Sequence, residues 1–167
     1  MVIHRQYKRI LKIVSSLVLL IVILISIGQV RDSYACRRKM ISLRSNFMLF
    51  QVTHDGHWPS DIVSLAAADA DGHLPPSMIN ARLTCPGRGE ADDPQTSDYI
   101  YINWKSLLST NNIPGDFPLI YDRHSSNHHG WGINVMRVDG TCFWDFRGRW
   151  LKAFAKTNSN ANLSFDE

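Results

Sequence analysis

Residues 13–30 form an unbroken apolar run with no charged side chain, rich in Ile, Leu and Val. Eighteen helical residues at 1.5 Å rise nearly match the thickness of a bilayer core, so this run predicts a membrane-crossing helix. The pattern then changes character instead of stopping. Cys36, Met40, Leu43, Phe47 and Phe50 recur four and three residues apart, which puts them on one face of a helix. Asp55-Gly56 and Pro59 supply the stop signals. One continuous helix over about 10–53 is therefore expected, apolar all round in its first half and one-sided in its second.

Downstream, Ser60 is the expected N-cap of a short helix over 61–68, and a helical turn is expected over 77–81. The stretch from Cys85-Pro86-Gly87 to Ser97 is polar and rich in Gly, Pro and Asp, the composition of an exposed loop. The period then shifts to two. Residues 99–102 and 117–121 read as strands, and 133–138 and 141–146 flank Asp139-Gly140 as a hairpin. Asp-Gly between alternating runs predicts a two-residue type I′ turn. A short helix or irregular cover over 147–154 and a disordered tail complete the pattern. The fold class is α+β, a long N-terminal helix with a membrane half and an amphipathic half, packed on a small antiparallel sheet. The segments are a basic tail 1–12, a transmembrane helix 13–30, a soluble domain 31–156 that includes the amphipathic helix 31–54, and a tail 157–167.

Charge sharpens this division. Of the 167 residues, 1–44 carry a net charge of +8 and the remainder −5. The basic balance thus belongs to the membrane flanks, where Lys and Arg reach toward phospholipid headgroups, and gives no reason to expect nucleic acid. Arg5, Lys8, Arg9 and Lys12 favour a cytoplasmic N-terminus with the soluble domain outside, although Arg31, Arg37, Arg38, Lys39 and Arg44 oppose that orientation. Ser33-Tyr34-Ala35 has the form of a signal-peptidase site. The apolar run is longer than a signal sequence needs, and Arg31 and Asp32 separate it from that site, which favours a retained anchor. Three widely spaced cysteines, Cys36, Cys85 and Cys142, form neither a disulfide framework nor a zinc motif. Outside the cytoplasm a Cys36–Cys85 bridge is one reading; small buried thiols are the other.

Several short motifs fall in a recognisable order. They are Cys36-Arg37-Arg38-Lys39-Met40, the helix exit His54-Asp55-Gly56-His57-Trp58-Pro59, Leu83-Thr84-Cys85-Pro86 and Asp98-Tyr99-Ile100-Tyr101. Last comes His129, nine residues, then Asp139-Gly140, with Gly132, Asn134 and Val135 between. This series resembles bacterial pilin-like proteins related to type II secretion pseudopilins over about 10–146. The resemblance implies a pilin-like fold and a non-catalytic structural or assembly role in the cell envelope. It further implies a single pass through the bacterial inner membrane, and partners among the bilayer, other pilin-like subunits or secretion-system components. One departure stands out: residues 9–14 hold neither a Gly-Phe peptidase site nor the acidic residue that follows it in prepilins. The expectation is an uncleaved relative that keeps the anchor and the fold without joining a pilus.

Candidate chemistry is sparse. His124, His128 and His129 near Asp122 and Asp139 could be drawn as a metal or acid–base site of a hydrolase, but their spacing fits no helical ligand motif. The expected role is structural, with His129 bonding to backbone at the base of the Asp139-Gly140 hairpin and the other two histidines solvated. No resident cofactor is expected. Calcium has candidate ligands in Asp69 and Asp71, part of an EF-hand loop, and, by analogy with pseudopilins, in Asp92, Asp93 and Asp98. The five tryptophans are expected to cover core and sheet. A membrane-anchored extracytoplasmic module binding a glycan or calcium is the alternative reading.

Overall fold

The structure, a computed structural model, describes residues 2–68, 76–86, 97–108, 110, 112–128, 130–158 and 163. Helix α1 spans Val2–Thr53 without interruption. Its apolar run is uncovered: Leu17, Leu20, Ile21 and Leu24 are each more than half exposed. Among the described residues it is the one helix long and apolar enough to cross a bilayer. Its second half does the reverse on one face, where Cys36, Met40, Leu43 and Phe47 are buried. Phe50 sits at the margin, half-buried and stacked on His54 at 3.9 Å. The helix ends where Asp55 (φ 50°) and Gly56 (φ 76°) turn left-handed and the Gly56 amide bonds the Gln51 carbonyl at 2.8 Å.

Helices α2 (Ile62–Ala67) and α3 (Pro76–Leu83) follow, then strand β1 (Tyr99–Tyr101), helix α4 (Trp104–Leu108) and strand β2 (Pro118–Asp122). A 3₁₀ turn (Ser125–His128), strands β3 (Gly132–Arg137) and β4 (Cys142–Phe146) and helix α5 (Arg149–Thr157) complete the elements among the described residues. The four strands form one antiparallel sheet in the order β1-β2-β3-β4. A long N-terminal helix on a small antiparallel sheet is an α+β, pilin-like architecture.

Both faces of the sheet are covered, so the fold has three layers. On one side α1, α2 and α3 enclose Leu43, Leu65, Tyr99, Ile120 and Met136. On the other, Trp104, Tyr121, Ile133, Val135 and Leu151 pack beneath α4 and α5. Strand β3 shows the period of two directly: Ile133 and Val135 face α5, whereas Asn134 and Met136 face α1. Each fully buried Leu, Ile or Phe contributes about 1.5–3 kcal/mol. The α1 stripe is thus a main tie between stalk and head.

Some local details depart from the sequence expectations. The N-cap of α2 is Asp61, not Ser60: the Ser64 amide donates to Asp61 Oδ1 at 2.7 Å. That bond lowers the Asp61 carboxyl below its ordinary range. The β3–β4 connection is not a type I′ turn, because Gly140 is left-handed (φ 86°) and Asp139 is not. Arg137 N bonds Thr141 O at 3.0 Å and Gly140 N bonds Arg137 O at 2.9 Å. This is the three-residue hairpin with a glycine bulge. The Asp139 amide bonds Gly115 O at 2.8 Å, which holds the turn against the β2 side. A Cβ on Gly140 would run into the Arg44 guanidinium of α1. Helix α5 extends to Thr157, and Leu163 packs on the second core. The rest of the tail expected to be disordered, 159–162 and 164–167, lies outside the described residues.

Candidate functional site

The richest chemistry lies between α1 and the end of the sheet nearest its apolar half. Asp122 closes β2, a strand buried at every position. The next residues leave the sheet and coil into the 3₁₀ turn, which brings His128 back over Asp122. Asp122 Oδ2 accepts from His128 Nε2 at 2.9 Å, from the Asn134 amide at 2.6 Å and from Asn134 Nδ2 at 3.0 Å. All three residues are essentially buried. An unmade bond at such a group costs about 1–3 kcal/mol, so this carboxylate fixes the imidazole and the start of β3 together.

Asn134 also meets α1. Its Nδ2 donates to Ser33 O at 3.4 Å, and Ser33 Oγ donates to Asn134 Oδ1 at 3.4 Å. Beside this polar set Cys36 and Cys85 are joined by a disulfide, with Cα atoms 5.6 Å apart. Cys85 Sγ lies 3.9 Å from His128 Nε2, and Tyr99 Oη lies 3.3 Å from Cys36 Sγ. Burial, reinforced by Asp122 and Asp98, raises the Tyr99 phenol far above its ordinary value. Cys142 is a buried free thiol, pushed up to about 11 by burial. The two bridged sulfurs and His128 Nε2 cluster within 4.8 Å. That nitrogen is already held by Asp122, and the sulfurs are bonded to each other. The trio is thus arranged as a buried clamp.

A cleft of about 370 Å³ opens beside the clamp, lined by Val30, Tyr34, Arg37, His128, Trp131 and Trp144. Gly132 makes part of its shape possible. A Cβ there would meet the Asp145 carbonyl oxygen at 2.5 Å and the Trp144 ring at 2.9 Å. Ser33 also borders the cleft, with its hydroxyl donating to Asn134 Oδ1.

Of the residues singled out from sequence, Asp122 and His128 come together, but His128 is buried rather than solvated. The Asp122 carboxylate is what lets an imidazole leave water here. Asp139 stands apart at the hairpin tip with Arg137 Nη2 at 3.1 Å. The Thr141 amide, then Arg137 and Arg44, keep its carboxyl below the ordinary range. Asp98 is buried and accepts from the Cys85 amide at 2.6 Å, which places its carboxylate inside the head. His129 and the calcium candidates Asp69, Asp71, Asp92 and Asp93 lie outside the described residues. Trp104 is buried as expected of a core residue, but Trp131 is 56% exposed at the mouth of the cleft. Asn134 and Ser33 carry no sequence signal as a pair, because their meeting depends on docking residues 101 apart.

Comparison with family models, curated proteins and solved structures gives no match.

Proposed function

We propose that this chain is a single-pass, pseudopilin-like structural subunit of the bacterial cell envelope, with its head outside the cytoplasm and no catalytic role. The observation that carries the reading is α1, whose first half is uncovered apolar surface and whose second half is built into the head. The outward face of the docked half adds support. Ile41, Met48 and Val52 are 48%, 48% and 78% exposed at spacings of seven and four, a seam suited to a neighbouring helix. Lateral contact between such seams, inside the bilayer and just above it, is the proposed assembly mode. The buried clamp at Asp122 holds head and stalk in fixed relation while neighbours pack.

Single cysteines at Met48 and, as a control, at Lys39 on the head-facing side, introduced with Cys142 replaced by Ala, test this reading in native membranes. Oxidation is expected to trap a covalent dimer, with itself or a like subunit, through position 48 and not 39. Protease added outside is expected to digest the head. A head shielded from external protease, or equal cross-linking at both positions, would contradict the proposal.

A further inference from the structure

The cleft beside the clamp joins the membrane half of α1 to the head. Val30 ends the apolar run and Ser26 lies one turn deeper in it, and both line the cleft together with Trp131 and Trp144 of the sheet. Trp131 is therefore held at the depth where an anchored α1 leaves the hydrocarbon, the level at which tryptophan is enriched in membrane proteins. The same edge of the sheet is basic. The Arg147 amide bonds Trp131 O at 3.0 Å, and the Arg147 and Arg149 guanidinium groups lie over the exposed Phe146 ring at 5.2 and 5.5 Å. From α1, Arg37 lines the cleft itself and Arg38 flanks it in sequence, while Arg31 is paired with Asp32 at 3.7 Å. The rest of the head carries net negative charge, so this edge is set apart from it.

A second observation points to a ligand. His128 is 1% exposed and lines the cleft, with Nε2 engaged by Asp122, yet Nδ1 has no hydrogen-bond partner among the described residues. An oriented imidazole with its second nitrogen free is a polar contact awaiting a partner.

We propose that the cleft binds an anionic phospholipid drawn from the bilayer that holds α1. The inference rests on α1 being the membrane anchor. The phosphate sits against Arg37, a headgroup or glycerol oxygen reaches His128 Nδ1, and the upper acyl chain lies along Val30, Trp131 and Trp144. The bound lipid fills the notch between stalk and head, so the head rests on the membrane surface through Trp131, Phe146 and the two arginines. A free phosphate would use the arginine but not the apolar wall, and a neighbouring helix would use the wall but not the arginine.

The test uses the full chain in vesicles of phosphatidylethanolamine and phosphatidylglycerol, washed at alkaline pH and then released in mild detergent for native mass spectrometry. The parent is expected to retain one phosphatidylglycerol. Arg37→Gln is expected to lower that occupancy about tenfold, the loss of one charge-assisted contact, and Trp131→Ala to lower it as well. Both variants should keep the parent's far-ultraviolet circular dichroism and denaturation midpoint, since both side chains are exposed. A parent that stays in the washed vesicles but releases without lipid, or retains it equally in Arg37→Gln, overturns the cleft assignment alone. Adducts of inorganic phosphate in place of phospholipid, or cross-linking of Trp131→Cys to a second copy's Val30→Cys, overturn it too. A parent lost from the vesicles in the wash overturns the anchor reading on which it rests.

Discussion

Leu43→Asp is expected to release the head from its stalk and unfold it. Leu43 is 1% exposed in the middle of the α1 stripe, between Met40 and Phe47 in the first core. Truncating a leucine in such a site costs about 2–5 kcal/mol, and an unpaired buried carboxylate adds to that. A domain of this size has only about 5–15 kcal/mol in hand, so one such change removes most of it. Ile41→Asp is the matched control, two residues away on the outer face and 48% exposed, with an expected effect within about 0.5 kcal/mol. Denaturant titration of the detergent-solubilised chain, followed by tryptophan emission, separates the two. The apolar half of α1 should remain helical in both. Equal midpoints for the two variants would mean that the stripe does not hold the head.

Reducing the Cys36–Cys85 bridge is expected to have the second largest effect. The bridge spans 49 residues and ties α1 to the segment between α3 and β1. The chain-entropy treatment of a loop that long gives about 4 kcal/mol, within the usual 2–5 kcal/mol for a small disulfide-bonded domain. Cys36→Ala with Cys85→Ala should lower the denaturation midpoint by a corresponding amount, and added reductant should shift the parent but not the double variant. Mass analysis of alkylated, unreduced protein should find one reactive thiol, Cys142, only after unfolding. Three alkylated cysteines, or a midpoint indifferent to reductant, would contradict the bridge.

The long elements were legible because their patterns are long. An uncharged run of eighteen residues and a four-and-three stripe survive any local irregularity, and β-branched and aromatic runs flank Asp139-Gly140 on both sides. The turn type was not legible. Asp-Gly serves a two-residue I′ loop and a three-residue bulged loop alike, and the choice is made by Gly115 O holding the Asp139 amide and by Arg44 pressing on Gly140. Helix α4 escaped notice because five residues show no period; it is started by Asn103, whose Oδ1 accepts the Ser106 amide at 3.0 Å. Helix α5 starts at left-handed Gly148, which has no capping side chain, and Asp145 from β4 supplies the cap to the Trp150 and Leu151 amides, both at 2.9 Å.

The candidate site was the least legible part for the same reason. Its members come from α1, β2, the 3₁₀ turn and β3, and no sequence window contains them together. The histidine cluster is visible in sequence, but which ring turns inward depends on where Asp122 ends its strand. Trp131 reads as core by composition and is exposed because it stands just before β3, at the end of the sheet beside the apolar half of α1.

Stalk and head are tied together only if α1 is one rod, apolar in its first half and built into the head in its second. Spin labels at Ser16 and Ser45, both exposed serines 29 residues apart on α1, test this in full-length protein in nanodiscs with Cys142 replaced by Ala. A continuous helix predicts a single narrow distance near about 44 Å at 1.5 Å per residue. A broad distribution, or a much shorter distance from a break between the two halves, would contradict it.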